Sequence, residues 1–276
     1  MGRRLSRIFL AVVLVVITTH GFAAPSTSER LGELKALIKT GRYADAEVGA
    51  RALLTEVEAT NGSDSIDAAN VLEVLVESLW RGGKASDPAS RALGQRLVII
   101  REKTVGPDHP DLAASLNNFA NLLGEAGDNE AARPLFERAL AIREKALGPE
   151  HPDMAQSLDH LAALLEEQRD FAGARSLHER ALAIRETVLG PEHPDTAMSL
   201  RNLSGLLLAT GQPTEALTLG ETALAAHDKV LGRNHVWTKD SARVTADALD
   251  ALGRTEEAKA LRERYGVTQP EKPEPS

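Results

Sequence analysis

From about residue 28 to residue 265 the apolar side chains recur at every third or fourth position, the spacing that gathers them on one stripe of an α-helix. Leu116, Phe119, Ala120 and Leu123 make one such stripe, and Leu158, Leu161, Ala162 and Leu165 repeat it 42 residues later. After a short polar break, Gly127-Asp128 or Arg169-Asp170, a second stripe follows in each case: Ala132, Phe136, Ala139 and Leu140, then Ala174, Leu177, Ala181 and Leu182. This pattern predicts antiparallel helix pairs with helices of roughly 15 to 18 residues, each about 25 Å long. A pair of that thickness cannot cover its own stripe, so successive pairs must stack. The expected class is all-α.

The period is visible in the connecting segments. Gly106-Pro107-Asp108-His109-Pro110-Asp111, Gly148-Pro149-Glu150-His151-Pro152-Asp153 and Gly190-Pro191-Glu192-His193-Pro194-Asp195 are spaced 42 apart. The units beginning at Gly106 and Gly148 share 25 of 42 positions, which points to duplication. Gly232-Arg233-Asn234-His235 is a worn copy, and Gly62-Ser63-Asp64-Ser65 stands where an earlier one falls after a two-residue insertion. Each segment has a mechanical reading. Glycine supplies a left-handed turn at the helix end, the first proline blocks continuation, the second opens the next helix, and the Asp faces its positive end. His109, His151 and His193 are then expected to hydrogen-bond around the turn or cap the next helix. They recur once per repeat, too far apart to converge on a metal.

These residues resemble the tetratricopeptide repeat family, in the 42-residue variety of kinesin light chains. The resemblance lies in Ser115-Leu116-Asn117-Asn118-Phe119-Ala120-Asn121-Leu122-Leu123 and in Glu137-Arg138-Ala139-Leu140-Ala141-Ile142-Arg143-Glu144-Lys145, and the next unit repeats both. The family's small-residue positions fall on Ala120, Ala132 and Ala139, on Ala162, Ala174 and Ala181, and on Ser204, Ala216 and Ala223. Gly41-Arg42-Tyr43-Ala44 looks like the turn of a first repeat and Gly253-Arg254-Thr255-Glu256 like that of a last one. The resemblance implies a right-handed α-solenoid over residues 24–265, in about six helical pairs at 28–61, 64–105, 106–147, 148–189, 190–231 and 232–265. The unit from about Ser65 departs from the pattern at Lys84 to Ser90, which obscures where its second helix starts. From Gly266 to the end, the Pro- and Glu-rich tail is too polar to pack and is expected to be disordered.

Composition narrows the function. With no cysteine there are no disulfides, zinc ribbons or thiol nucleophiles. The formal charge of -8 argues against nucleic acid, which needs clustered cations. Arg3, Arg4 and Arg7 followed by the apolar run Ile8 to Thr19 and by Gly21-Phe22-Ala23 read as a secretory signal peptide over residues 1–23, cut after Ala23. That run is short of the roughly 20 residues of a membrane span, so the mature chain is expected to lack one and to be periplasmic or secreted. No HExxH pair, Gly-x-Ser-x-Gly elbow or phosphate loop is present, so no enzyme, cofactor or metal is expected; His178-Glu179 reads as a surface pair.

In the resembled family the first helix of each pair lines a concave groove that holds a peptide or a partner helix. Carried over by position, the groove comprises Asn117, Asn118 and Asn121, then Asp159 and His160, then Arg201 and Asn202, with Glu73, Glu77, Glu125 and Glu167 beside them. Asn118, His160 and Asn202 form one column, and an amide there can pair with any peptide backbone. The resulting expectation is a non-catalytic scaffold with an acidic groove, taking a neutral to basic protein or peptide. A self-assembling structural repeat, a homo-oligomer formed through an uncapped end, is the alternative.

Overall fold

The computed structural model describes residues 25–268. The leader expected at 1–23 lies outside the described residues, as does the tail from 269. Twelve helices follow one another: α1 (Thr27–Lys39), α2 (Tyr43–Asn61), α3 (Ile66–Arg81), α4 (Pro88–Val105), α5 (Pro110–Glu125), α6 (Asn129–Leu147), α7 (Pro152–Glu167), α8 (Phe171–Leu189), α9 (Pro194–Ala209), α10 (Pro213–Leu231), α11 (Val236–Ala251) and α12 (Thr255–Tyr265). They are the two helices of six successive pairs, and no strand occurs among the described residues.

The linker motifs set the joints. His109, His151, His193 and His235 are the N-cap residues of α5, α7, α9 and α11, and each Nδ1 accepts the backbone N–H two residues on, at 3.1 to 3.2 Å. Pro110, Pro152 and Pro194 take the first helical position, where a missing N–H costs nothing. Gly106, Gly148, Gly190 and Gly232 close the preceding helices with φ of 83 to 93° and ψ of 161 to 168°. That is not the ordinary left-handed turn expected from sequence but a region only glycine occupies at low cost. In the irregular second unit, residues 82–87 form a longer connection and Asp87 caps α4 at Pro88. Gly266 and Val267, expected in the tail, instead close α12: Gly266 is left-handed and Val267 packs beside Leu224 and Tyr265.

Stacking produces two unequal layers. The odd-numbered helices approach one another in series from α1 to α11, whereas the backbones of the even-numbered helices come close only to odd-numbered ones. The odd helices therefore form a tight inner layer and the even helices a splayed outer one, which makes the inner face concave. Outside, long side chains span between successive helices, as in Arg180–Glu144 at 2.8 Å, each such pair worth about 1 kcal/mol or less. Inside, the family's small positions, Ala120, Ala132, Ala139, Ala162, Ala174, Ala181, Ser204, Ala216 and Ala223, are all completely buried. The largest apolar cluster runs from Leu34 on α1 to Leu164 on α7; the first halves of α5 and α7 and the later pairs form smaller clusters of their own.

Close packing reaches its limit at Gly94 on α4, where a Cβ would lie 2.3 Å from Phe119 Cδ2 on α5. Gly205 on α9 has nothing within 4 Å of the same position. Alanine in an exposed helix gains about 1 kcal/mol over glycine, and an overpacked core loses about 1–3 kcal/mol. Gly205→Ala should thus raise stability in chemical denaturation and Gly94→Ala should lower it; equal effects would contradict the α4–α5 fit.

Candidate partner-binding groove

The inner layer carries a column of polar residues one repeat apart: Glu73, Asn117, Asp159, Arg201 and Arg243 occupy the eighth position of α3, α5, α7, α9 and α11. Facing it from the outer layer is a column of cationic types, Arg101, Arg143, Arg185 and His227, all buried. Each of these reaches a serine on the next inner helix. Arg101 Nε donates to Ser115 Oγ at 3.3 Å, Arg143 and Arg185 donate to Ser157 and Ser199, and His227 pairs with Ser241 Oγ at 2.9 Å.

At two levels the columns match in charge. Arg101 Nη2 lies 3.4 Å from Glu73, and Arg185 pairs with Asp159. Opposite Arg201 the outer residue is His227 instead of arginine. Burial, and then the Arg201 charge among weaker influences, lower its pKa, so a neutral ring donates from Nε2 to the Pro194 carbonyl at 2.9 Å. Arg143 faces the neutral Asn117, whose Nδ2 donates to Ser157 Oγ at 3.0 Å. Asn117 is 4 % exposed; it lies against α7 rather than in the groove as expected, because residues 117 and 118 point about 100° apart and only one can face the open side. Asp159 is likewise buried. Glu73 accepts from Asn118 Nδ2 at 2.5 Å, and burial raises its pKa against the hydrogen bonds of Ser115 and Asn118 and the Arg101 charge.

His178 overturns the expected surface pair. It is 1 % exposed, with Nδ1 2.7 Å from Asp159 Oδ1 and Nε2 2.9 Å from Glu166 Oε1. Its sequence neighbour Glu179 faces outward to Arg175. Burial opposes a charge on the His178 ring, but the two carboxylates outweigh it and raise the pKa to about 9. Asp159, which burial alone would push up, is held below the usual carboxylate range by His178 and Arg185.

The column expected to grip a partner divides three ways. Asn118 is engaged by Glu73. The His160 ring sits 5.9 Å from Phe136, burial lowers its pKa to about 4, and its buried Nδ1 has no partner. Asn202 makes no side-chain hydrogen bond among the described residues. His160, Arg201 and Asn202 line one cavity of about 540 Å³ together with Trp80, Arg81 and Trp237. Both tryptophans of the chain line it. Its lining includes three arginines, Arg81, Arg185 and Arg201, and three aspartates, Asp153, Asp159 and Asp195, so it is balanced where an acidic groove was expected. On the inner layer Trp80 Nε1, Asn117 Oδ1, Asn121 Nδ2, His160 Nδ1 and Asp250 Oδ1 are buried without hydrogen-bond partners, and of these residues Trp80 and His160 line the cavity. The repeat comparison passed over Trp80 and Trp237 because they interrupt it: Trp237 stands where Asp111, Asp153 and Asp195 stand in other units. Departures from the repeat, rather than its recurrences, were the available signal. Among the described residues no three His, Cys, Asp or Glu side chains are grouped to hold a metal ion, and no helix is long and apolar enough to cross a membrane.

Since the folded-state pKa of His178 lies above its unfolded value of about 6.5, its stabilisation is complete below that pH and is lost as pH rises through about 9. Asp159→Asn leaves Arg185 and His178 without their shared carboxylate and should cost about 3–5 kcal/mol at neutral pH. In urea titrations from pH 6 to about 9.5, the variant should also lose most of the decline that His178 gives the wild type. A decline of wild-type size in the variant would contradict the assignment.

Comparison with known proteins agrees with this geometry. Residues 88–145, 120–187, 153–228 and 205–265 match the tetratricopeptide repeat family. No curated protein sequence matches the chain. Among solved structures, a kinesin light chain-type protein of nearly identical TPR-like repeats from Podosopora anserina is similar over 71% of this chain and 92% of its own, with 29% identity and a TM-score of 0.58. A Rap protein complexed with competence and sporulation factor is 13% identical over 87% of this chain and 74% of its own, TM-score 0.63. PilW, a type IV pilus biogenesis factor, is 15% identical over 90% and 97%, TM-score 0.59. The matched segments together span most of the twelve helices, and the chain belongs to the tetratricopeptide repeat family.

Proposed function

We propose that this protein is a non-catalytic interaction scaffold that holds a peptide or a helical segment of a protein partner along its inner layer, and that residues 1–23 direct its export to the cell envelope. The observation that carries the reading is the pair of buried polar atoms at the inner-layer cavity, Trp80 Nε1 and His160 Nδ1, that lack hydrogen-bond partners. Leaving a buried donor or acceptor unpaired costs about 1–3 kcal/mol, and a bound backbone would supply what is missing. Asn117, bonded to Ser157, and Asp159, held by Arg185 and His178, serve the fold instead, bound across the helix joints. The Rap protein, with a bound factor in its solved structure, lends the reading support from a chain of similar fold. The leader's basic start, apolar run and small residues support export.

A carrier protein of this kind should retain a protein partner from extracts of its own cells. The triple variant Asn118→Ala, His160→Ala and Asn202→Ala, checked for unchanged helicity by circular dichroism, should retain it at least about tenfold more weakly, the size expected for losing a few hydrogen bonds worth about 0.5–1.5 kcal/mol each. Unchanged retention would remove the groove from the account. Protein recovered from the envelope fraction should start at Ala24 by mass; recovery from the cytoplasm with Met1 intact would remove the export claim.

A further inference from the structure

We propose that the cavity lined by Trp80 and Trp237 is a subsite for an acidic side chain, aspartate or glutamate, within a segment passing along the inner layer, and that Arg201 receives it. This rests on the reading of the inner layer as a partner groove and adds the chemistry of one contact.

The charges around the cavity leave a single cation without a counterpart. Asp159 is neutralised by Arg185 and His178. Asp153 and Asp195 lie in the first turns of α7 and α9, where the helix N-terminus already balances a negative charge. Arg81 is paired with Glu77 at 2.9 Å and lies 4.3 Å over the Trp80 ring. Arg201 alone of the lining arginines has neither an ion pair nor a hydrogen bond among the described residues, though it is half-buried. Its outer-layer counterpart is the neutral His227, so the fold avoids a second buried cation there, and the nearby carboxylates Asp240, Asp159 and Glu166 are paired with Arg243, Arg185 and His178 rather than with Arg201. A guanidinium offers a planar fork of donors that suits a carboxylate.

Donors stand on the same walls. Trp80 Nε1–H is buried and unpartnered, the Asn202 amide is unengaged, and His160 is a neutral ring with an unpartnered Nδ1. The two indoles add apolar surface, so the segment should place an apolar residue beside its acidic one. At about 540 Å³ the cavity has room for side chains rather than for a whole helix of roughly 10 Å diameter. Its lining comes from α3, α7, α9 and α11 of the inner layer, closed behind by Arg185 and Leu189 of α8, and runs along the inner layer, which favours a passing chain over a chain end.

The test is selection of peptides from a random library displayed with no free carboxyl terminus, against the full-length mature protein and its Arg201→Gln variant. Selected peptides, synthesised with blocked ends, are then titrated by the emission of Trp80 and Trp237. An aspartate or glutamate next to an apolar residue should recur at one position. Its replacement by the amide, and Arg201→Gln, should each weaken binding about tenfold or more, the two losses should not add, and Arg201→Lys should recover part of the affinity. Because Arg201 has no internal partner, Arg201→Gln should unfold at the wild-type temperature; if it does not, the acid-to-amide change in the peptide decides on the wild-type protein. Binders that show no recurrent acid, or that lose nothing on amidation of it, overturn the subsite while leaving the groove in place. If no selected peptide loses binding to the Asn118→Ala, His160→Ala, Asn202→Ala variant, the groove reading falls as well.

Discussion

The structure depends on contact between helix pairs that cannot bury their own apolar stripes. Each pair exposes a stripe that only a neighbour can cover, and cover is possible because alanine, serine or, as at Gly94, glycine stands where helices approach most closely. Residues of that size bring backbones together and add dispersion contacts without strain. The curvature follows. Inner helices touch in series while the backbones of outer helices come close only to their inner neighbours, so stacking bends the array and creates a concave face. The groove is a geometric consequence of where small residues lie.

A second, polar constraint runs through the same joints. In four successive repeats an outer-layer residue, arginine on α4, α6 and α8 and a neutral histidine on α10, ties its helix to a serine on the following inner helix. Such a residue is costly to bury, and the inner column compensates it with a carboxylate at Glu73 and Asp159, while a neutral His227 opposite Arg201 avoids a clash. The pair Arg143 and Asn117 lacks that compensation, since burial lowers the Arg143 pKa and no carboxylate lies within ion-pair range. The inner column therefore serves first to hold successive pairs in register. At the cavity this framework leaves over Trp80 Nε1, His160 Nδ1 and the side chains of Arg201 and Asn202.

Much of the fold was legible in the sequence because its determinants are local and recur. The Gly-Pro-x-His-Pro-Asp segments announce both a helix end and the next helix start, and the linker histidines cap as their position suggests. The apolar spacing gives the stripes, and the alanines give the joints. The glycine backbone region was less legible: a positive φ was expected, but its ψ depends on how the linker crosses to the next pair. The groove was read only partly. Helical phase distinguishes Asn117 from Asn118 only once the neighbouring helix is placed, and His178 looked like surface because its partners, Asp159 and Glu166, lie on the preceding helix. The tryptophans went unremarked because a repeat argument discards what does not recur, and a binding site on a repetitive frame is built from departures of that kind.

Nearest-neighbour stacking makes a prediction about the whole chain that a compact globule does not share. In native-state hydrogen exchange, amides of α3, α5 and α7, which contribute to the largest apolar cluster from Leu34 to Leu164, should be the slowest. Protection should fall step by step toward α1 and α12, each of which has a neighbouring pair on one side only. Exchange of all twelve helices at one common rate, through a single global opening, would contradict the account.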